Sequence, residues 1–201
     1  MPSFVIFDLE TTGLCPGDCE IIQIAATRFQ NGQVVHGDSF FSYCRPERPV
    51  PRFITEYTGI TNQDVRNAPR PIEALARFST FVGGSVIMAH NGHRFDIKFL
   101  EATCARHAVE VRPVESIDTI TLSRRLFGSA GGTGHSLDRV VSRLGLDVSQ
   151  YRRHDARGDI QALADSVRIM WQRLNLDSHC AGIPRRRTSL PALAANAADN
   201  G

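Results

Sequence analysis

Phe4-Val5-Ile6-Phe7 is an unbroken apolar run, the pattern of a strand buried on both faces, and it delivers Asp8 and Glu10 at its end. Strand-like segments follow at 20–29 and 33–44, and the Asn31-Gly32 pair between them predicts a tight antiparallel hairpin. An irregular stretch punctuated by Pro46, Pro49 and Pro51 leads into two short helical pieces at 53–57 and 61–66. Beyond Pro69 and Pro71, the helical spacing of Ile72, Leu75, Ala76 and Phe78 predicts a longer helix. Val86-Ile87-Met88-Ala89 then reads as a second fully buried strand. From here strands and helices alternate, which predicts parallel pairing through crossovers.

In the helical segment 95–107, Phe99, Leu100, Thr103 and Cys104 share one face, and Asp96 heads that stripe one turn earlier. Residues 116–126 read as a short strand turning into a helix, followed by a Gly-rich loop at 128–134. Leu137, Val140, Val141 and Leu144 mark a further helix that Gly145 stops. The last helix is expected from Asp155 or Ala156 to Asn175, with Ile160, Leu163, Ala164, Val167 and Trp171 inward. Asp159 lies four residues before Leu163 and so heads this second inward stripe, near the positive end of the helix dipole. From 177 to 201 the chain is Ala- and Pro-rich with Arg185-Arg186-Arg187 and no apolar period, which predicts a flexible tail behind a domain at 1–176.

A chain of 201 residues suits one α/β domain with a sizeable core. With 42% hydrophobic and 22% charged residues, disorder of the body is excluded. No apolar run approaches the roughly 18 to 20 residues that span a bilayer, and Met1-Pro2-Ser3 opens no secretory signal, so a cytoplasmic protein without membrane contact is expected. Five scattered cysteines (Cys15, Cys19, Cys44, Cys104, Cys180) with no paired CxxC argue against both a disulfide framework and a zinc ribbon. A net charge of only +2 removes any global basic field, so nucleic acid, if bound, is held locally.

Asp8 and Glu10 are two apart on a strand and therefore project from the same face. Joined by Asp96 and Asp159, they would gather four carboxylates at one end of the sheet. Such a cluster repels itself unless cations neutralise it. All-oxygen ligands favour Mg²⁺ or Mn²⁺, and two such ions roughly 3.5 to 4 Å apart suit phosphodiester hydrolysis. His154, just ahead of the last helix, is placed to take a proton from the attacking water. Each residue also has an ordinary reading: a solvated pair for Asp8 and Glu10, first-turn helix charges for Asp96 and Asp159, a capping histidine for His154. His90 is either a phosphate contact or a loop support, and His135 a helix-entry residue.

Three segments carry a family resemblance: Phe7-Asp8-Leu9-Glu10-Thr11-Thr12-Gly13-Leu14, Ala89-His90-Asn91-Gly92-His93-Arg94-Phe95-Asp96, and His154-Asp155-Ala156-Arg157-Gly158-Asp159. In order and separation they resemble the motifs of the DEDDh (DnaQ-like) exonucleases, which include the proofreading subunit of bacterial replicative polymerase, ribonuclease T, oligoribonuclease and the three-prime repair exonucleases. The resemblance covers about residues 4–175 and implies a ribonuclease-H-like α/β fold, a mixed five-stranded sheet flanked by helices. It further implies that Asp8, Glu10 and Asp159 hold a first metal ion and Asp8 also a second, that Asp96 is the fourth acidic residue, and that His154 is the general base. Thr11, Thr12, Asn91 and Phe95 resemble residues near the terminal nucleotide, and Leu14 an apolar wedge against its base; the ordinary readings are a turn shaped by Thr11-Thr12-Gly13 and a packing role for Leu14.

Six steps from His90 to Asp96, and the Gly158-Asp159 pair, are closer to the three-prime repair exonucleases than to proofreading subunits, yet the long proline-rich insertion of that subgroup is missing. The implied activity is metal-dependent 3′→5′ hydrolysis of single-stranded or frayed DNA ends to nucleoside 5′-monophosphates, in repair or proofreading, either autonomously or with a DNA polymerase or sliding clamp as partner. The segment Thr188-Ser189-Leu190-Pro191-Ala192-Leu193 is loosely similar to clamp-binding peptides but has no glutamine. Alternatives are an RNA exonuclease trimming RNA ends, a non-catalytic nucleic-acid-binding module, and a metal-dependent phosphatase for small nucleotides.

Overall fold

The computed structural model describes residues 3–129, 134–149, 156–177 and 179–193. The leading apolar run forms β1 (Phe4–Thr11), and the alternation of its side chains decides what lies on either face. Phe4 and Ile6 pack under the last helix, α7 (Ala156–Arg173), whereas Val5, Phe7 and Leu9 pack on the opposite side. Asp8 and Glu10 continue the α7-facing row where the apolar residues stop.

Beside β1, β2 (Ile21–Gln30) runs antiparallel, with Phe4 opposite Phe29 and Glu10 opposite Gln23. It turns into β3 (Gln33–Tyr43) through Asn31 (φ 51°) and Gly32 (φ 76°). Both residues have positive φ, as the two central positions of a type I′ turn require. Gly32 is also needed for space, since a Cβ there would lie 3.0 Å from the ring of Trp171. On the other side of β1, β4 (Val86–Ala89) and β5 (Val111–Asp118) pair in parallel.

Between β3 and β4 lie α1 (Arg52–Thr58), α2 (Asn62–Val65) and α3 (Pro71–Val82); α4 (Asp96–Arg106) links β4 to β5, and α5 (Ile120–Phe127) and α6 (Leu137–Leu144) precede α7. One core lies under α7, where Trp171 meets Phe4 and Phe29 edge-on at centroid distances of 5.3 and 5.2 Å. The other lies under α3 and α4. Among the described residues no helix is long and apolar enough to cross a membrane, and all five cysteines are free thiols.

The sheet has six strands, in the order β3-β2-β1-β4-β5-β6, and not the expected five. The sixth, β6 (Arg186–Pro191), lies within the stretch read from sequence as a flexible tail, and it pairs antiparallel with β5 from Val111–Pro191 to Ser116–Arg186. Leu190 is buried in the α3–α4 core, the Ser79 hydroxyl donates to the Pro191 carbonyl at 2.7 Å, and the Thr188 hydroxyl donates to Glu101 at 2.8 Å. Arg185, expected in the flexible tail, pairs with Glu115 at 2.6 Å. Residues 194–201 of the expected tail, and 130–133 of the expected Gly-rich loop, lie outside the described residues.

Two smaller expectations also shift. β5 begins at Val111 and not at Ser116, because its first half alternates exposed and half-buried positions and reads as strand only once β6 pairs with it. The buried face of α3 is Ala74, Leu75, Phe78, Ser79 and Val82, with Ala76 exposed and Ile72 half-buried.

Candidate active site

At the end of β1, Asp8 and Glu10 face the start of α7. There Asp159 turns inward, and carboxylate oxygens from these three residues lie within 4.8 Å of one another. Among the described residues no other group of three or more His, Cys, Asp or Glu side chains offers such a set. All three are half-buried, so neighbouring negative charges interact through a partly desolvated medium. Hard oxygen donors in this arrangement fit Mg²⁺ or Mn²⁺ and offer no soft ligand.

Asp96, in the first turn of α4, joins this cleft of about 300 Å³, together with Thr11, Leu14, Tyr57, Asn91 and Phe95. It is only 3% exposed. Burial pushes its pKa up to about 7; backbone N–H groups of Asp96 itself and Leu9 pull the other way, and the Asp118 charge adds to the rise. A larger cavity of about 600 Å³ lies between β2, β3 and α7, but it holds no member of the carboxylate cluster, and chemistry decides the site here rather than size.

The second motif forms the loop between β4 and α4. Asn91 takes a positive φ of 60°, and Gly92 sits so close to β4 that a Cβ would come within 2.6 Å of Ala89 Cβ. Asp118, at the end of β5, pins this loop by accepting from the amides of Asn91 (3.0 Å) and His93 (3.3 Å), and also from Ile120 (3.0 Å). His90 Nε2 donates to the His135 carbonyl at 2.7 Å, and its Nδ1 accepts from the Thr119 hydroxyl at 2.8 Å. With both ring nitrogens engaged and burial lowering its pKa, His90 is a neutral strut for the loop.

The first motif ends in a pinned turn. Arg106 of α4 donates to the carbonyls of Pro16 (3.0 Å), Gly17 (3.2 Å) and Cys19 (3.1 Å). This holds out Leu14, which is 84% exposed at the cleft rim. The Thr11 hydroxyl donates to Gly13 O at 2.6 Å within the cleft wall. Thr12 takes the turn-shaping place: its hydroxyl accepts from the Glu20 amide at 2.9 Å, closing the turn, and it is absent from the cleft wall. His154 lies outside the described residues.

Two residues of the site escaped the sequence reading. Tyr57 of α1 borders the cleft yet is 61% exposed. Its signal was an aromatic on the outer face of a short helix that ends at Gly59. Asp118 had the same grammar as Asp8, a carboxylate ending a strand whose preceding residue, Ile117, is buried.

Known proteins share this chain's sequence pattern and fold. The exonuclease family of the ribonuclease T type matches residues 5–167. A DNA polymerase III subunit epsilon-like protein of Rhodobacter capsulatus is 43% identical over 168 residues, 82% of this chain and 23% of that protein. A PolC-type DNA polymerase III of Latilactobacillus sakei is 38% identical over 153 residues, 76% of this chain and 10% of that protein. The chain thus spans less than a quarter of the length of these relatives. Among solved structures, Exonuclease X in complex with 5′-overhanging duplex DNA is similar at a TM-score of 0.67 and 25% identity, over 88% of this chain and 95% of that one. Its likeness extends to the ribonuclease-H-like arrangement of a mixed sheet flanked by helices. The family match and the fold lead to the same conclusion: this chain belongs to the DnaQ-like exonuclease family of the ribonuclease T type, hydrolytic nucleases that act on nucleic acids.

Proposed function

We propose that this chain is a divalent-metal-dependent 3′→5′ exonuclease that removes nucleoside 5′-monophosphates from single-stranded or frayed DNA ends. The observation that carries the reading is the meeting of Asp8, Glu10 and Asp159 within 4.8 Å beside buried Asp96, in a cleft rimmed by Leu14 and Tyr57. A cleft of about 300 Å³ favours one terminal nucleotide over a continuous duplex.

Asp8, Glu10, Asp96 and Asp159 would hold two Mg²⁺ or Mn²⁺ ions, which supply Lewis acidity toward the scissile phosphate and the water that attacks it. His154 takes the proton from that water, a role resting on its place in the third motif. Water attacks phosphorus, the bond from phosphorus to the 3′ oxygen of the penultimate nucleotide breaks, that oxygen takes a proton from solvent to become the new 3′ hydroxyl, and the phosphate stays on the 5′ oxygen of the released nucleotide. Leu14 and Tyr57 meet the terminal base by apolar contact and stacking, which tolerates any base. Thr11, Asn91 and Phe95 border the same nucleotide, and Thr12 serves it through the turn it closes.

DNA is favoured over RNA because the relatives are named as DNA polymerase III proteins and the similar solved structure is a DNA complex. The same names make a DNA polymerase III assembly the proposed setting. Digestion of 5′-labelled single-stranded DNA and matched RNA, with Mg²⁺ or Mn²⁺ and with EDTA, tests the reading. A descending DNA ladder lost in EDTA and in His154→Ala is the expected result. RNA shortened while DNA stays intact would move the substrate to RNA, and binding without degradation of either would make the chain a binding module.

A further inference from the structure

Gln23 stands opposite Glu10 in the β1–β2 ladder, so both side chains rise from the α7 face of the sheet. It is fully buried, at 0% exposure. Two residues along the same row, Ala25 packs in the α7 core, as does Phe29 further on, so Gln23 stands where this face passes from the apolar core to the acidic residues.

The Gln23 side-chain oxygen accepts from the backbone N–H of Ala156 at 2.8 Å. Ala156 opens α7, and the first N–H groups of a helix have no partner within the helix. Such groups are ordinarily met by a capping side chain next to them in sequence. Here one is met from a strand 133 residues away. Because the N–H requires the oxygen, the Gln23 Nε2 is turned aside, buried and without an acceptor among the described residues. A buried donor without an acceptor is unfavourable, and this cost is set against the partner that the oxygen gives the Ala156 N–H.

We infer that Gln23 is a positioning residue that holds the first turn of α7 against β1 and so sets where Asp159 stands relative to Asp8 and Glu10. Asp159 follows Ala156 within a single helical turn, so displacement of Ala156 passes to Asp159 through rigid backbone. The inference rests on the metal-dependent reading above. In metal sites, groups that orient the ligands typically change metal affinity by about 10- to 100-fold when replaced.

The test is calorimetric titration of the full-length chain with Mn²⁺, alongside thermal unfolding and steady-state digestion. Gln23→Leu removes the acceptor at similar size and is expected to weaken Mn²⁺ binding by about tenfold or more. It lowers kcat with little change in KM for DNA. Gln23→Glu keeps an oxygen for the Ala156 N–H and restores most of the affinity. Val167→Ala, deeper in the α7 core, lowers thermal stability but leaves Mn²⁺ affinity unchanged. Gln23→Leu binding Mn²⁺ as the wild type does, or Val167→Ala weakening it equally, overturns the inference alone. A wild type that binds no Mn²⁺ overturns the metal-dependent reading and the inference with it.

Discussion

Asp8 in the second half of the first strand and Asp159 in the first turn of the last helix bring carboxylate oxygens within 4.8 Å of each other, from opposite ends of the family-matched region. Folding therefore concentrates negative charge, which a bound cation would relieve. Saturating Mg²⁺ or Mn²⁺ should raise the melting temperature, by the equivalent of about 2.7 kcal/mol at a hundredfold excess over Kd. Asp159→Asn should melt higher than the wild type in EDTA and lose most of the metal-dependent gain. Differential scanning calorimetry with and without EDTA measures both, and a wild type indifferent to metal would contradict the cluster's role.

Burial raises the Asp96 pKa from 3.8 to about 7 when no cation is present. The folded state then holds this proton more tightly than the unfolded state does. Its stabilising contribution is complete below about pH 4 and is lost as pH rises toward 7, on the order of a few kcal/mol. Urea unfolding in EDTA should show the wild type losing stability across this window relative to Asp96→Asn, whose profile is flatter. A difference that grows in the wild type's favour with rising pH has the wrong sign and would refute this account of Asp96.

Asp118 accepts from three backbone amides, two of them in the loop leading to Asp96. Asp118→Ala leaves those donors without their charged acceptor and should destabilise the protein by about 2 to 4 kcal/mol. It should also lower kcat, because the loop no longer fixes Asp96. Chemical denaturation and single-turnover digestion report the two effects separately; full activity in a protein of unchanged stability would remove Asp118 from the site.

β6 makes a sharp prediction for the C-terminal region. Leu190 is fully buried against α3 and α4, whereas Leu193 is 48% exposed. Leu190→Ala should cost about 2 to 5 kcal/mol and Leu193→Ala less than about 0.5 kcal/mol. Equal, negligible effects in thermal unfolding would mean that residues 186–191 are a free appendage after all.

Leu14 and Tyr57 are exposed at the cleft rim, so their replacement should spare the fold and weaken the grip on the end nucleotide. Each of Leu14→Ala and Tyr57→Ala should keep the wild-type melting temperature. Loss of base contact should raise KM for single-stranded DNA by roughly 5- to 150-fold, the equivalent of about 1 to 3 kcal/mol. Unchanged KM in both would place the substrate elsewhere.

Where burial falls on one face or on both, the residue pattern states it directly. That is why the apolar run 4–7, the Asn31-Gly32 turn, the Asp96-headed stripe of α4 and the Asp159-headed stripe of α7 were legible, and with them the convergence of four acidic side chains. These features are local, since a strand repeats every two residues, a helix every 3.6, and a tight turn needs its particular backbone angles. The amino-acid sequence by itself thus determined the strand–helix grammar, the identity of the acidic residues and the hard-cation chemistry they suit.

Tertiary structure alone decided that Arg186–Pro191 is a strand, because a polar edge segment is ordered by its partner's backbone hydrogen bonds and carries little apolar period of its own. It also decided that Thr12 closes a turn, that Asp118 holds the Asp96 loop, that Tyr57 borders the cleft and that Gln23 grips α7. Apart from the Thr12–Glu20 turn, each of these depends on a contact between segments remote in the chain. A hydrogen bond or a cleft wall has no periodicity to read, so it exists only once the packed cores on both faces of the sheet have brought those segments together.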